Sequence, residues 1–260
     1  MHFRKISVAF IACAACHVQR PSLDFDQVSA RWSDLTHLII LPGHAIQWCT
    51  EVGKPLDDPS CWYLFDYQRE QVPLFLEHIK EAVTQLKKDS NALMVISDGQ
   101  TRPGLGVLRE ATSYMAAAEA MNLFEETKGV YDRVVTEDYA RDSYENVVFS
   151  VCRFQEITNR LPKKVTIVGF PFKEPRFTEL HWPQLRLHDV EYQYISVEKE
   201  GFDQSLIVDD AYPPFEEDPL GCKPLLSEKR VTRNPYRRLH GYRENCPNLS
   251  HAMCPRSITI

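Results

Sequence analysis

The sequence predicts an α/β fold: a doubly wound, mostly parallel five-stranded sheet with helices on both faces, followed by an irregular C-terminal arm. Three observations predict it. Short, wholly apolar runs such as Leu38 to Leu41 read as strands buried on both sides. Stretches with apolar residues at helical spacing separate these runs. Between Ala92 and Met115 an apolar strand, a polar turn and a helix follow one another, the unit on which open α/β sheets build ligand sites.

In order, Leu38 to Leu41 is the first strand and stops at Pro42-Gly43-His44. Residues 45 to 71 read as a long aromatic loop of the kind that serves as a lid or binding loop. Val72, Phe75, Leu76, Ile79, Ala82, Val83 and Leu86 mark an amphipathic helix ending in Lys87-Lys88. Ala92 to Ile96 is the second strand, and its helix opens at Arg109-Glu110. Arg133 to Thr136 is the third strand. The helix after it starts at Asp142, where Asp142 and Glu145 have the spacing of a capping box. Val165 to Val168 is the fourth strand, Glu174 to Leu187 a helix interrupted at Pro183, and Val190 to Val197 the fifth strand. Repeated strand–helix alternation of this kind implies a parallel sheet covered on both faces.

This assigns residues 37–201 to the α/β domain, 1–36 to an N-terminal tail or extra element, and 202–260 to an irregular arm that wraps and packs on the domain rather than forming a second one. The arm's character is distinct: residues 203–218 carry six acids and no Lys or Arg, and 223–243 carry seven Lys or Arg and one acid. Its prolines forbid long regular elements.

A net charge of −6 gives no reason to expect nucleic-acid binding. Arg4-Lys5 precede an apolar run, Ile6 to Cys16, too short to span a bilayer, and no other stretch is a membrane-span candidate. The run reads as part of the tail, which places the protein in the cytoplasm; a mitochondrial or secretory targeting segment is the alternative. The eight cysteines are scattered, with Cys13 and Cys16 the only close pair and no second pair beside it. They read as free buried thiols of a reduced, intracellular protein rather than as zinc ligands or a disulfide framework. The sequence identifies no cofactor, no metal set and no oligomeric state.

Ligands of open parallel sheets bind beyond the carboxyl ends of the strands. Those ends carry Gly43 and His44, then Ser97, Asp98, Gly99, Gln100, Thr101 and Arg102, then Glu137 to Asp142, then Gly169 to Lys173. The backbone of Asp98-Gly99-Gln100 is a candidate anion nest, with Arg102 as counter-charge. Lys173 and Arg176 are a candidate clamp for phosphate or carboxylate. Glu110 and Glu145 are the candidate catalytic carboxylates, and Asn146 a candidate binding residue. Each has a structural alternative. Helix capping accounts for Asp142 and Glu145, the helix dipole favours Glu110 in a first turn, and Gly99 suits a tight turn. Ser97 stands where a nucleophile can sit but lacks a G-x-S-x-G surround, and His44 also reads as a loop histidine. His181 and His188 do not make a metal pair.

Five motifs, in order, carry a resemblance: Pro42-Gly43-His44, Ser97 to Arg102, Arg109-Glu110-Ala111, Ser143-Tyr144-Glu145-Asn146 and Lys173-Glu174-Pro175-Arg176. Together they resemble the SanA-like (YdcF-like) domain of unknown function in its fungal intracellular branch, over about His37 to Val197. Asp218 to Cys222 and Arg233-Asn234-Pro235 are similar to that branch as well. The family's marks are a glycine-rich turn after the first strand, a Ser-Gly-Gly turn after the second, Ser-Glu-Ala and Thr-x-Glu-Asn helix starts, and a His-x-x-Arg segment. This chain departs from them. Its first turn holds Pro42-Gly43-His44, Asp98 replaces a glycine, Arg109 a serine and Lys173 a histidine. The resemblance implies a Rossmann-like fold with a polar pocket, and it transfers no reaction.

The expectation for function is a hydrolase or transferase acting on a small phosphorylated, nucleotide or sugar-linked substrate. The alternative is a non-catalytic binder of an adenosyl-type nucleotide at the same strand ends. A third reading is a scaffold whose basic C-terminal run meets an acidic partner.

Overall fold

The computed structural model describes residues 32–49, 54–125, 127–199 and 209–255. The reading of residues 1–20 as tail or targeting segment, with Cys13 and Cys16, lies outside them.

Five strands form one parallel sheet: β1 (His37–Pro42), β4 (Ala92–Ser97), β5 (Val134–Glu137), β6 (Lys164–Gly169) and β7 (Glu191–Ser196). Their spatial order is β5-β4-β1-β6-β7. The central strand β1 pairs with β4 from His37↔Ala92 to Pro42↔Ser97, and with β6 from His37↔Lys164 to Ile40↔Ile167. Every residue of β1 and β4 is buried, and the stretches Leu38 to Leu41 and Ala92 to Ile96 within them are unbroken apolar runs. The edge strand β7 alternates exposed and half-buried residues instead.

Alternation along the strands sorts the core into two layers. Ile39, Leu41, Met94 and Ile96 pack under α1 (Val72–Lys88) and α2 (Glu110–Ala120). Leu38, Ile40, Leu93, Val95, Val165 and Ile167 face the other way, under α3 (Ser143–Thr158) and the C-terminal arm. Each such side chain contributes roughly 1.5–3 kcal/mol on full burial. The predicted doubly wound sheet is therefore present, with helices on both faces.

Local departures from the expectation are informative. The 45–71 stretch is not plain loop: β2 (Ile46–Gln47) and β3 (Trp62–Tyr63) pair antiparallel, with one 3-10 turn just before β3 at Pro59–Cys61 and another after it at Asp66–Gln71. The segment after β6 is a 3-10 turn, a π-helical turn over Arg176–His181 and a second 3-10 turn over Trp182–Leu185. Among its described residues the arm holds three short α-helices, α4 (Tyr212–Glu217), α5 (Pro224–Thr232) and α6 (Tyr242–Asn245), and a 3-10 turn at Pro247–Ala252. It seats Phe215, Leu226, Tyr242 and Leu249 against the α3 face of the sheet. The capping box is half formed. Asp142 accepts from Glu145 N, but the Glu145 carboxylate takes the Arg141 backbone N–H and guanidinium instead of reaching back to Asp142.

The cysteine reading is corrected outright. Cys49–Cys61, Cys152–Cys246 and Cys222–Cys254 are disulfides, so all six cysteines among the described residues are paired. One of the three, Cys152–Cys246, ties the arm to α3, another, Cys222–Cys254, closes a loop within the arm, and the support that free thiols lent to a reducing compartment is gone. No helix among the described residues is long and apolar enough to cross a membrane.

Candidate functional site

Strand order reverses between β1 and β6, and a cavity of about 820 Å³ opens beyond their carboxyl ends. Its volume is in the range of pockets that hold nucleotide-sized ligands. The 45–71 segment contributes Tyr67, Gln68 and Gln71 to the wall, and Gln68 Nε2 donates to the His44 carbonyl at 2.6 Å, tying that segment to the β1 turn.

One wall is acidic. Gly43 passes so close to α2 that a Cβ there would sit 2.8 Å from Glu110 Cβ and 3.0 Å from Asp98 Cβ. Only glycine permits that approach, and the consequence is two carboxylates side by side under the β1 turn. Both are buried. Burial first, and then the charge of Glu110, hold the Asp98 carboxyl well above the usual carboxylate range, with Arg233 opposing. Thr101 donates its hydroxyl to Glu110, and Arg102 Nε stands 4.0 Å from the same Glu110 oxygen. The Arg102 guanidinium also lies 4.0 Å over the Phe65 ring.

The opposite wall is cationic. Lys173 Nζ is 3.1 Å from His44 Nδ1, and Arg176 donates to Asp209 at 2.7 Å. Burial, and secondarily Arg176, push the Lys173 ammonium down to about 7, while burial and Lys173 hold His44 in the neutral form. Lys229 and Arg233, from α5 and its C-terminal end, line the same cavity, Arg233 near enough to Asp98 to oppose its shift. The cavity thus gathers a titratable lysine and three further cations, Arg176 among them paired with Asp209, together with a buried carboxylate pair.

Between the walls lies the first turn of α3. Asp142 caps it and accepts from Arg230 Nε at 2.6 Å; despite its burial, the charge of Arg230 and these bonds hold its carboxyl down at about 2. Ser143 lines the cavity, and its hydroxyl is 2.8 Å from Nε2 of the fully buried His181. Asn146 lines the cavity as well.

Of the sequence candidates, Gly43, His44, Asp98, Arg102, Glu110, Asn146, Lys173 and Arg176 converge on this cavity. Ser97, Gly99, Gln100 and Thr101 do not line it. Ser97 is buried, with its hydroxyl 2.8 Å from Glu137 and 3.2 Å from Asn146, where it orders the β4–β5 end. The anion nest is absent: Asp98 N–H goes to the Glu137 carbonyl and Gly99 N–H to the Ala140 carbonyl. Gln100 reaches the Gly106 carbonyl. Glu145 points away, into a bidentate pair with Arg141 beside a second cavity of about 290 Å³ between α3 and the arm. That removes it from the catalytic candidates. Sequence reasoning missed Ser143, His181, Asp209, Lys229 and Arg233. The two basic residues sat in the run read as a partner-binding surface, and nothing in a single sequence brings the arm back over the strand ends.

Among the described residues no group of three or more His, Cys, Asp or Glu side chains is placed to hold a metal. The chain is similar to one curated protein, "Uncharacterized protein YOR238W" of Saccharomyces cerevisiae, 25% identical over 264 residues, which cover 80% of this chain and 86% of that one. No family model matches the sequence. No solved structure matches it either.

Proposed function

We propose that this chain is a SanA-like domain protein that binds a small anionic ligand of nucleotide or sugar-phosphate type at the strand ends and acts on it as a hydrolase or transferase. The observation that carries the reading is the divided cavity. Lys173, Arg176, Lys229 and Arg233 share with the Asp98–Glu110 pair a volume that fits such a ligand. The cations neutralise the phosphate. Burial and the charge of Glu110 raise the Asp98 carboxyl toward its neutral form, and Glu110 positions or deprotonates the substrate.

The test is a thermal-shift and calorimetric panel of nucleotides and sugar phosphates, followed by product detection for every binder. Glu110→Gln is expected to bind as the wild type does and to lose turnover. A panel with no binder at all sinks the reading.

One observation favours a nucleotide over a sugar phosphate, and with it the alternative of a binder without turnover. Tyr67 is 70% exposed, lines the cavity and stacks on Phe65 at 15° between ring planes. An exposed ring at a cavity mouth is a platform for a base. Saturable nucleotide binding with no product over long incubation selects this alternative.

A further inference from the structure

We propose that Ser143 is a nucleophile activated by His181, and that the cavity cleaves a carboxylic ester whose alcohol carries a phosphate. The phosphate part rests on the cavity reading above; the Ser–His pair stands on its own geometry. Ser143 is the first residue of α3, partly exposed to the cavity, with its Oγ 2.8 Å from His181 Nε2. His181 is fully buried among the rings of Tyr144, Phe177 and Phe215, and its Nδ1 has no hydrogen-bond partner among the described residues. Burial and the charges of Arg176 and Arg230 keep this imidazole neutral, the form that can take the serine proton, and Asp142 partly offsets them in favour of the imidazolium. In the first turn of α3, Glu145 N–H goes to the Asp142 side chain and Asn146 N–H to its carbonyl. The Ser143 and Tyr144 amides have no acceptor within the helix and stand at its positive end, beside the nucleophile. That is the setting of an oxyanion site.

The chemistry balances without a further reagent except water. As Ser143 Oγ bonds to the carbonyl carbon, its proton passes to His181 Nε2 and the carbonyl electron pair moves to oxygen. The tetrahedral intermediate collapses, the ester C–O bond breaks, and the departing alkoxide takes the proton from His181. Water then gives a proton to His181 as it attacks the acyl-serine. Collapse releases the acid and returns the proton to Ser143.

A fluorophosphonate ester, which needs only an activated serine, tests the pair in the full chain. The expected result is one adduct by intact mass, mapped to Ser143, absent in Ser143→Ala, and formed about 100-fold more slowly or worse in His181→Gln. Should His181→Gln fail to fold, Ser143→Cys serves. Its alkylation by iodoacetamide is expected to titrate well below the ordinary thiol value of about 8.5. No adduct on Ser143, or an inflection near the ordinary thiol value, overturns the nucleophile. Pyrophosphate is expected to slow labelling. Labelling of Ser143 that neither pyrophosphate nor ADP slows upholds the pair and overturns the phosphate-bearing substrate. A nucleotide that raises the melting temperature of a protein that never labels overturns the pair and leaves the cavity reading intact.

Discussion

Lys173 is the residue whose state decides how the cavity treats an anion. With its ammonium pushed down to about 7, it loses its charge within the physiological range. Anion affinity that depends on that charge is flat below pH 7 and falls above it, by up to about tenfold per pH unit. Sulfate, whose own charge is constant there, is the clean probe: its affinity by calorimetry should decline between pH 7 and 9. Lys173→Arg should abolish the decline, since a guanidinium stays charged. A pH-independent wild type would show that Lys173 does not touch the anion. At the mouth, Tyr67→Ala should weaken ADP by roughly 1–3 kcal/mol and leave pyrophosphate unchanged; an equal loss for both would remove the base-stacking role. At this scale the sequence was legible where a side chain's position follows from its strand. His44, Asp98, Arg102 and Glu110 sit at strand ends or just beyond them, and the cavity contains them. The N–H groups of Asp98 and Gly99 were not legible, because the β5 turn claims both.

Elements with a clear period were legible and short ones were not. Strands β1, β4, β5, β6 and β7 and helices α1, α2 and α3 lie on the apolar runs and helical stripes that predict them. The two-residue strands β2 and β3 are too short to show alternation, and the π turn at Arg176–His181 has no sequence period to announce it. The start of α3 shows how a correct element can carry an incorrect detail. Asp142 caps it as its type suggests, yet Glu145 is drawn off by Arg141 and by Arg230, whose Nε lies 3.4 Å from it. Arg230, from α5, is 4% exposed and bonds Asp142 at 2.6 Å. Arg230→Met therefore leaves Asp142 and Glu145 buried with one cation fewer, and should cost about 3–5 kcal/mol by urea denaturation at pH 7. The acid limb gives the sign. Asp142 has its folded value below the unfolded one, so its contribution is present above about pH 4 and is lost as pH falls toward about 2. In Arg230→Met that loss between pH 4 and 2 should shrink. A variant whose stability is unchanged at pH 7 would show that the pair adds nothing net.

At the scale of the whole molecule, the sequence showed an arm but not where it lies. Its prolines and its swing from acidic to basic read as an irregular arm packed on the domain, with nothing to say which face it covers, and its cysteines read as isolated thiols, since a partner 94 residues away leaves no local trace. In the structure the arm is both cover and wall. It covers the α3 face of the sheet, and it supplies Asp209, Lys229 and Arg233 to the cavity. The Cys152–Cys246 bond joins α3 to the far part of this arm, and closing so long a loop should stabilise the fold by about 4–5 kcal/mol in the chain-entropy account. The Cys49–Cys61 bond, with a separation of 12, closes a short loop within one hairpin and should contribute about 3 kcal/mol. Two double variants separate local from global roles. Cys152→Ala/Cys246→Ala should lose more stability in urea than Cys49→Ala/Cys61→Ala, and should also weaken sulfate binding, because the arm's cations are then held less firmly over the strand ends. Titration of thiols in the unfolded, unreduced protein should find no more than two of the eight, given the three bonds. Eight reactive thiols would mean that the arm is held by its apolar contacts and the Arg230–Asp142 pair without covalent help. The two double variants should then differ little in stability from the parent.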